Sequence, residues 1–243
     1  DKAKITCGNR KGNSLIKTIE QCDTMYEYRK QFSEWHFDRW RSDDPALLDE
    51  NFATVIGDWE EELQSMKTVG LKGEMDEYRK KATGEAEKWG NTFDRYYSIQ
   101  DYDPTKHPIL KSLAESFGLK DYSVKVHLQK PGQMSSWHLD KGMAGGDGSD
   151  PQAFKDKAEQ LGRVFIMLND YTFGQMMQFG NRVITHWRKG QCIFFRWQDL
   201  PHCTANCGHH DRWLMHVTGM RTEKFDKLLS NPNQTIKLKG DNK

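Results

Sequence analysis

The sequence predicts an α+β protein, with helices in its first half and a barrel of short antiparallel strands in its second. Three observations carry that expectation. Apolar residues recur at helical spacing from about Ser14 to Phe117. From Tyr122 the period changes to alternation over short β-rich runs. Those runs are separated by Gly, Asn and Asp at a spacing that suits a jelly roll or a related double-stranded barrel.

The helical half is read in order. "NSLIKTIEQCDTMYEYRKQFSEW" places Leu15, Ile16, Ile19, Cys22, Tyr26 and Tyr28 roughly on one face of a helix. "DDPALLDENFATVIGDWEEELQSM" predicts a second helix, capped at Asp43 or Asp44 with Pro45 in its first turn. "GEMDEYRKKATGEAEKWGN" and "HPILKSLAESFGL" continue the pattern, with glycines near their ends. The strand half begins with "YSVKVHLQKPG" and its Pro-Gly turn. It continues through "GRVFIMLNDY", "GQMMQFG", "NRVITHWRKG", "QCIFFRW" and "DRWLMHVTGM". The expected division is a helical support region over 1–120, a barrel over 121–225 and a tail over 226–243, as one structural unit.

At 243 residues the chain is long enough for one substantial core with a helical extension. The apolar fraction is a modest 36%, but twelve Phe, eight Trp and eight Tyr suit a sheet-rich interior. The 36 Lys and Arg against 35 Asp and Glu leave a net charge of +1, so no electrostatic pull toward nucleic acid or an anionic membrane is expected. No apolar run approaches membrane-spanning length. Five cysteines are too sparse for a disulfide scaffold, and a reducing cytoplasm is the simpler expectation.

The chemistry concentrates at "SSWHLDKGMAGGDGSD", where His138 and Asp140 precede a glycine-rich stretch. Residues two apart in extended chain share a face, so the pair suits one metal ion. His202, in "DLPHCTANCGHHDRW", offers a third ligand. Two imidazoles and one carboxylate with open positions suit non-haem Fe(II), which must take a co-substrate and dioxygen together. If the co-substrate is 2-oxoglutarate, its far carboxylate needs a forked cation, and Arg212 lies ten residues beyond His202. Plainer readings stand beside these. His138 and Asp140 could cap a surface turn. His202, Cys203, Cys207, His209 and His210 could form a zinc knuckle, although they are crowded and lack a second Cys pair. Cys203 and Cys207 read more simply as small apolar fillers, and His209 and His210 as exposed turn residues. Periodicity leaves open which face of its strand Arg212 occupies. In the polar row Lys125, His127 and Gln129, Lys125 is expected toward solvent and the other two are undecided. His36, His107 and His186 are expected to be structural, and Trp137 and Trp197 to be core or rim packing.

The order H-x-D, then H-x3-N-x-G-x3-R, resembles the Fe(II)/2-oxoglutarate-dependent dioxygenase superfamily. The resemblance is greatest to the aspartyl/asparaginyl β-hydroxylase-like group, which includes prolyl hydroxylases. It rests on "LQKPGQMSSWHLD", "RVFIMLND" and "WRKGQCIFFRWQDLPHCTANCGHHDR", and covers roughly Tyr122 to Arg221. It implies a cupin-like double-stranded β-helix and an enzyme that uses Fe(II), 2-oxoglutarate and O2. The implied reaction hydroxylates an amino acid or peptide side chain and releases succinate and CO2. His138, Asp140 and His202 resemble the iron triad, Arg212 the distal-carboxylate anchor, and Arg163 a basic residue of the co-substrate pocket. Phe165 departs from a position that is sometimes polar, which leaves the second co-substrate contact unassigned. Asp140, where a halogenase has Gly or Ala, implies hydroxylation. The glycine-rich segment after it implies a lid over the substrate.

Overall fold

The computed structural model describes residues 48–68, 98–138, 160–197 and 200–238, with only the backbone at positions 136 and 138. The first strand is β1 (Leu48–Ile56), followed by α1 (Glu60–Ser65), β2 (Ser98–Ile99) and α2 (Pro108–Ser116). Then come β3 (Lys120–Gln129), β4 (Met134–His138), β5 (Leu161–Met167), β6 (Gln175–Phe179) and β7 (Arg182–Ile184). The chain continues through β8 (Gln191–Phe195), β9 (His202–Asn206), β10 (Arg212–Met220), α3 (Glu223–Ser230) and β11 (Gln234–Lys237).

These strands make a seven-stranded sheet, ordered β11-β1-β8-β5-β10-β3-β2, and a four-stranded sheet, ordered β4-β9-β6-β7. The β1–β11 pair is parallel, whereas the other ladders are antiparallel. From β3 to β10 the chain passes repeatedly between the sheets, with β3, β5, β8 and β10 in the large one and β4, β6, β7 and β9 in the small one. That interleaving gives a mixed β-sheet core of jelly-roll-like form.

The large sheet is buried on both faces. One face packs Phe52, Val126, Val164, Ile166, Met215 and Val217 against Leu110 and Leu113 of α2 and Phe225 and Leu228 of α3. The other packs Phe165, Met167, Ile193, Phe195 and Leu214 against Met177, Phe179 and Ile184 of the small sheet. Two burial layers on one sheet explain why alternation alone leaves the inward face of β10 open.

The helix expected from Pro45 to Met66 is corrected. Leu48–Ile56 is a strand of the large sheet, and of the described residues in this stretch only the six of α1 are helical. Phe52, Ala53 and Val55 are buried, and the run Thr54-Val55-Ile56 is β-branched, so a place beside β8 outweighs the helix-start signal. The strand lies so close to the turn before β8 that a Cβ on Gly190 would fall 1.9 Å from the Val55 carbonyl oxygen. Gly190 has φ +81, so glycine is required there twice over. The sheet also draws β11 from the segment expected as a tail, so its strands extend beyond 121–225 on both sides. The other helical segments, over 13–35 and 73–91, lie outside the described residues.

The helix expected in "HPILKSLAESFGL" is α2, with Pro108 in its first turn. Both carboxylate oxygens of Glu62 accept from its opening amides, Ile109 at 2.8 Å and Leu110 at 2.9 Å. His107 is structural, as expected: it is buried and its Nδ1 accepts from the Asp103 amide at 3.0 Å. Among the described residues no helix is long and apolar enough to cross a membrane.

Candidate functional site

The space between the two sheets carries a polar track as well as aromatic rings. On β9, His202, Thr204 and Asn206 are buried while Cys203 and Ala205 are less so, so the first three face the interior. On β10 the interior set is Arg212, Leu214, His216 and Thr218, fixed by Leu214 in the inter-sheet cluster. On β3 it includes His127 and Gln129, which are 6% and 0% exposed. The two undecided positions are therefore interior, and Lys125 is exposed as expected.

The metal expectation meets its first geometric feature at β4 and β9. Ser135 pairs with Thr204, yet His138, three residues on, pairs with His202, only two residues away. β4 thus holds one extra residue, a β-bulge between Ser135 and His138. Without it, position 137 would stand opposite His202. His138 is the last residue of β4, and Asp140 and the glycine-rich stretch lie outside the described residues. His202 is the first residue of β9.

His202 is 3% exposed and sits in an aromatic cage. Its ring centroid lies 5.0 Å from Phe195, 5.9 Å from Phe179 and 6.3 Å from Phe165. Nδ1 is 3.2 Å from the Leu200 carbonyl, which can only accept. In the tautomer protonated at Nδ1 this contact is a hydrogen bond, and the lone pair is then on Nε2, the arrangement a metal-binding imidazole uses.

Arg212 occupies the other end of the track. It is 2% exposed, Nη1 donates to the Met176 carbonyl at 3.4 Å, and Nε has no hydrogen-bond partner among the described residues. Among the described residues no carboxylate pairs with it. Burial pulls the guanidinium down to about 9, well below its ordinary range. The turn that delivers Arg212 is built by the Asn and Gly of the H-x3-N-x-G motif. Asn206 Nδ2 donates to the carbonyls of Gln129 and His210, each at 2.8 Å, and its Oδ1 accepts from the Gly208 amide at 3.1 Å. A Cβ at Gly208 would come 2.3 Å from the Phe173 carbonyl oxygen, so the turn closes only on glycine.

Arg163 is buried and stands opposite Thr218 across β5 and β10, six residues along β10 from Arg212, or roughly 20 Å of strand. Its Nε donates to Thr218 Oγ1 at 2.8 Å, and its guanidinium lies 4.2 Å over the Trp197 ring. The structure therefore separates the two arginines along the track. Phe165 packs T-shaped on Phe195 at 4.5 Å and stacks on His216 at 3.9 Å, so position 165 is an aromatic wall.

The zinc-knuckle alternative finds no geometric support. Cys207, His209 and His210 are exposed, and no group of three His, Cys, Asp or Glu among the described residues converges on one point. Cys203 is half-buried; Cys207 is exposed, so the filler expectation is corrected there.

No family model matches this chain, and no curated protein matches it. Distant structural matches are to cupin barrel proteins and related folds. One is a Cupin 2 conserved barrel domain protein from Salinispora arenicola, 10% identical over 45% of this chain and 71% of that one, with a TM-score of 0.27. Another is the cupin domain of Cnp3 from Schizosaccharomyces pombe, at 9%, 44%, 62% and 0.29 in the same order. A third is the non-heme monooxygenase ThoJ in complex with nickel, at 20%, 46%, 49% and 0.31. Likeness at this level bears no weight on chemistry, which rests on this chain's own strands and side chains.

Proposed function

We propose that the chain is an Fe(II)/2-oxoglutarate-dependent oxygenase with a double-stranded β-helix core, hydroxylating an amino acid or peptide side chain. The observation that carries this reading is Arg212, a guanidinium sealed between two sheets with its Nε unpartnered among the described residues. An unpaired buried charge is costly, so such a position is explained by an anion that arrives from outside. The distal carboxylate of a dicarboxylic co-substrate is such an anion, and a guanidinium holds it in a fork.

His138, Asp140 and His202 would hold the metal. The fit is supported by the bulge that puts His138 in register with His202, and by the Leu200 carbonyl, which favours the Nδ1-protonated tautomer of His202. Two imidazoles and a carboxylate match the preference of Fe(II). When bound with O2, the metal would couple oxidation of 2-oxoglutarate to succinate and CO2 with hydroxylation of a substrate C–H bond. The protein's own part is positional. Arg212 fixes the far end of the co-substrate, and Arg163 lies toward the end nearer His202. Phe165, Phe179 and Phe195 keep water from the His202 side of the cavity.

The test is succinate formation from 2-oxoglutarate in air with Fe(II) and ascorbate, with and without a panel of amino acids and peptides. The expected result is metal-dependent succinate, increased by at least one member of the panel and weakened in Arg212→Ala. Absence of succinate with every member contradicts the reading.

A second reading keeps the barrel and the metal but dispenses with 2-oxoglutarate: a cupin-like metalloenzyme or a non-catalytic binding module. It is favoured by Phe165, which puts a ring at a position that is sometimes polar in the resembled group. The metalloenzyme form expects Arg212→Ala to leave metal binding and activity intact, and the binding-module form expects no succinate with any substrate.

A further inference from the structure

If Phe165 offers no polar contact, a co-substrate carboxylate held by Arg212 needs a second partner from elsewhere. Arg212 stands directly opposite Gln129 across β3 and β10. Gln129 is 0% exposed, its Nε2 is 3.1 Å from Thr204 Oγ1, and its Oε1 has no partner among the described residues. Two adjacent interior side chains thus each leave one polar atom unsatisfied. Unsatisfied buried polar atoms are rare, and a neighbouring pair at one end of an enclosed track points to a ligand that completes both.

We propose that Gln129, positioned by Thr204, is the second arm of the carboxylate clamp. This rests on the co-substrate assignment given above. The two ends of a primary amide have the same shape, so a half-turn of Gln129 exchanges them. After that turn Thr204 Oγ1, a hydroxyl that can donate as well as accept, donates to Oε1. The Gln129 Nε2 then takes the place that Oε1 held. The clamp presents Arg212 Nε–H and Gln129 Nε2–H from neighbouring strands, both able to donate to one carboxylate. Thr204 acts through Gln129 and is a positioning residue. The clamp makes the site selective for a keto acid that is charged at its far end, because an apolar terminus would leave both donors unpaired.

The test measures dissociation constants of the Fe(II)-loaded full chain under anaerobic conditions. The probes are 2-oxoglutarate and 2-oxopentanoate, which has the same chain length without the distal carboxylate. Wild type is expected to prefer 2-oxoglutarate. Gln129→Leu and the isosteric Gln129→Glu are each expected to weaken 2-oxoglutarate by about 10- to 100-fold while leaving 2-oxopentanoate nearly unchanged. Thr204→Val is expected to give a smaller loss of the same selectivity. Thermal melts show that each variant is folded, and the 2-oxopentanoate constant is an internal control for an intact site. The clamp is overturned if Arg212→Ala loses 2-oxoglutarate while both Gln129 variants bind it as wild type does. It is also overturned if they lose both keto acids equally. Failure of wild type to bind 2-oxoglutarate at all overturns the co-substrate assignment itself, and the clamp with it.

Discussion

His138 is the cross-strand partner of His202, one residue out of step with the pairing of Ser135 and Thr204. A bulge that re-registers a strand at its last residue is the kind of irregularity that strands carry beside functional sites. Here it brings together two imidazole-bearing positions that lie 64 residues apart in the sequence.

Inserting one alanine after Ser136 lengthens β4 by one residue, so that with the bulge retained Trp137 and not His138 stands opposite His202. Metal affinity, followed with Co(II) absorption, is expected to fall by about 10- to 100-fold or more, with the β-sheet circular dichroism retained. Unchanged Co(II) binding in a folded variant would show that the register has no part in the site.

Arg212→Met replaces a buried, incompletely satisfied cation by an apolar side chain of similar length. Ligand-free stability in urea is expected to hold or to rise by up to roughly 1–3 kcal/mol, while 2-oxoglutarate affinity is lost. A loss of stability would mean that Arg212 is a structural residue and not a vacant anchor.

Burial lowers the Arg212 guanidinium to about 9, and an anion bound beside it raises that value again. The bound state therefore holds a proton that the free state gives up as pH passes about 9. Affinity for 2-oxoglutarate is accordingly expected to be flat below that pH and to fall above it, approaching about tenfold per pH unit. The 2-oxopentanoate constant, with no distal carboxylate, reports the pH dependence of the rest of the site. Equal profiles for the two keto acids would remove Arg212 from the account.

Asn206→Ala deletes three hydrogen bonds that tie the turn before β10 to β3 and close it on Gly208. The expected cost is about 1–3 kcal/mol of stability, with a weaker hold on 2-oxoglutarate than on Co(II) because the damage lies at the Arg212 end. Parallel losses of both ligands would place Asn206 nearer the metal than its contacts suggest.

Much of the second half was legible because the strand runs alternate between turn residues. The Asn and Gly of the H-x3-N-x-G motif were visible as signals before their physical role was. The structure supplies that role: they form the turn that presents Arg212. Other features depend on partners distant in sequence. β1 carries a Pro45 helix-start signal and becomes a strand because β8 and β11 offer it a place. Gln129 belongs to a polar row on a sheet buried on both faces, so its direction follows from the small sheet opposite and not from alternation. The bulge in β4 inserts one residue into the period that would reveal the strand, and the alternation fails just where the site begins.

The most direct test of the central claim is anaerobic titration of the Fe(II)-loaded chain with 2-oxoglutarate, followed by the visible iron-to-keto-acid charge-transfer band. The account predicts a band in wild type, none in His138→Ala or His202→Ala, and a band in Arg212→Ala that requires about 10- to 100-fold more co-substrate. Iron bound without a band in wild type, or a band indifferent to Arg212, would contradict it.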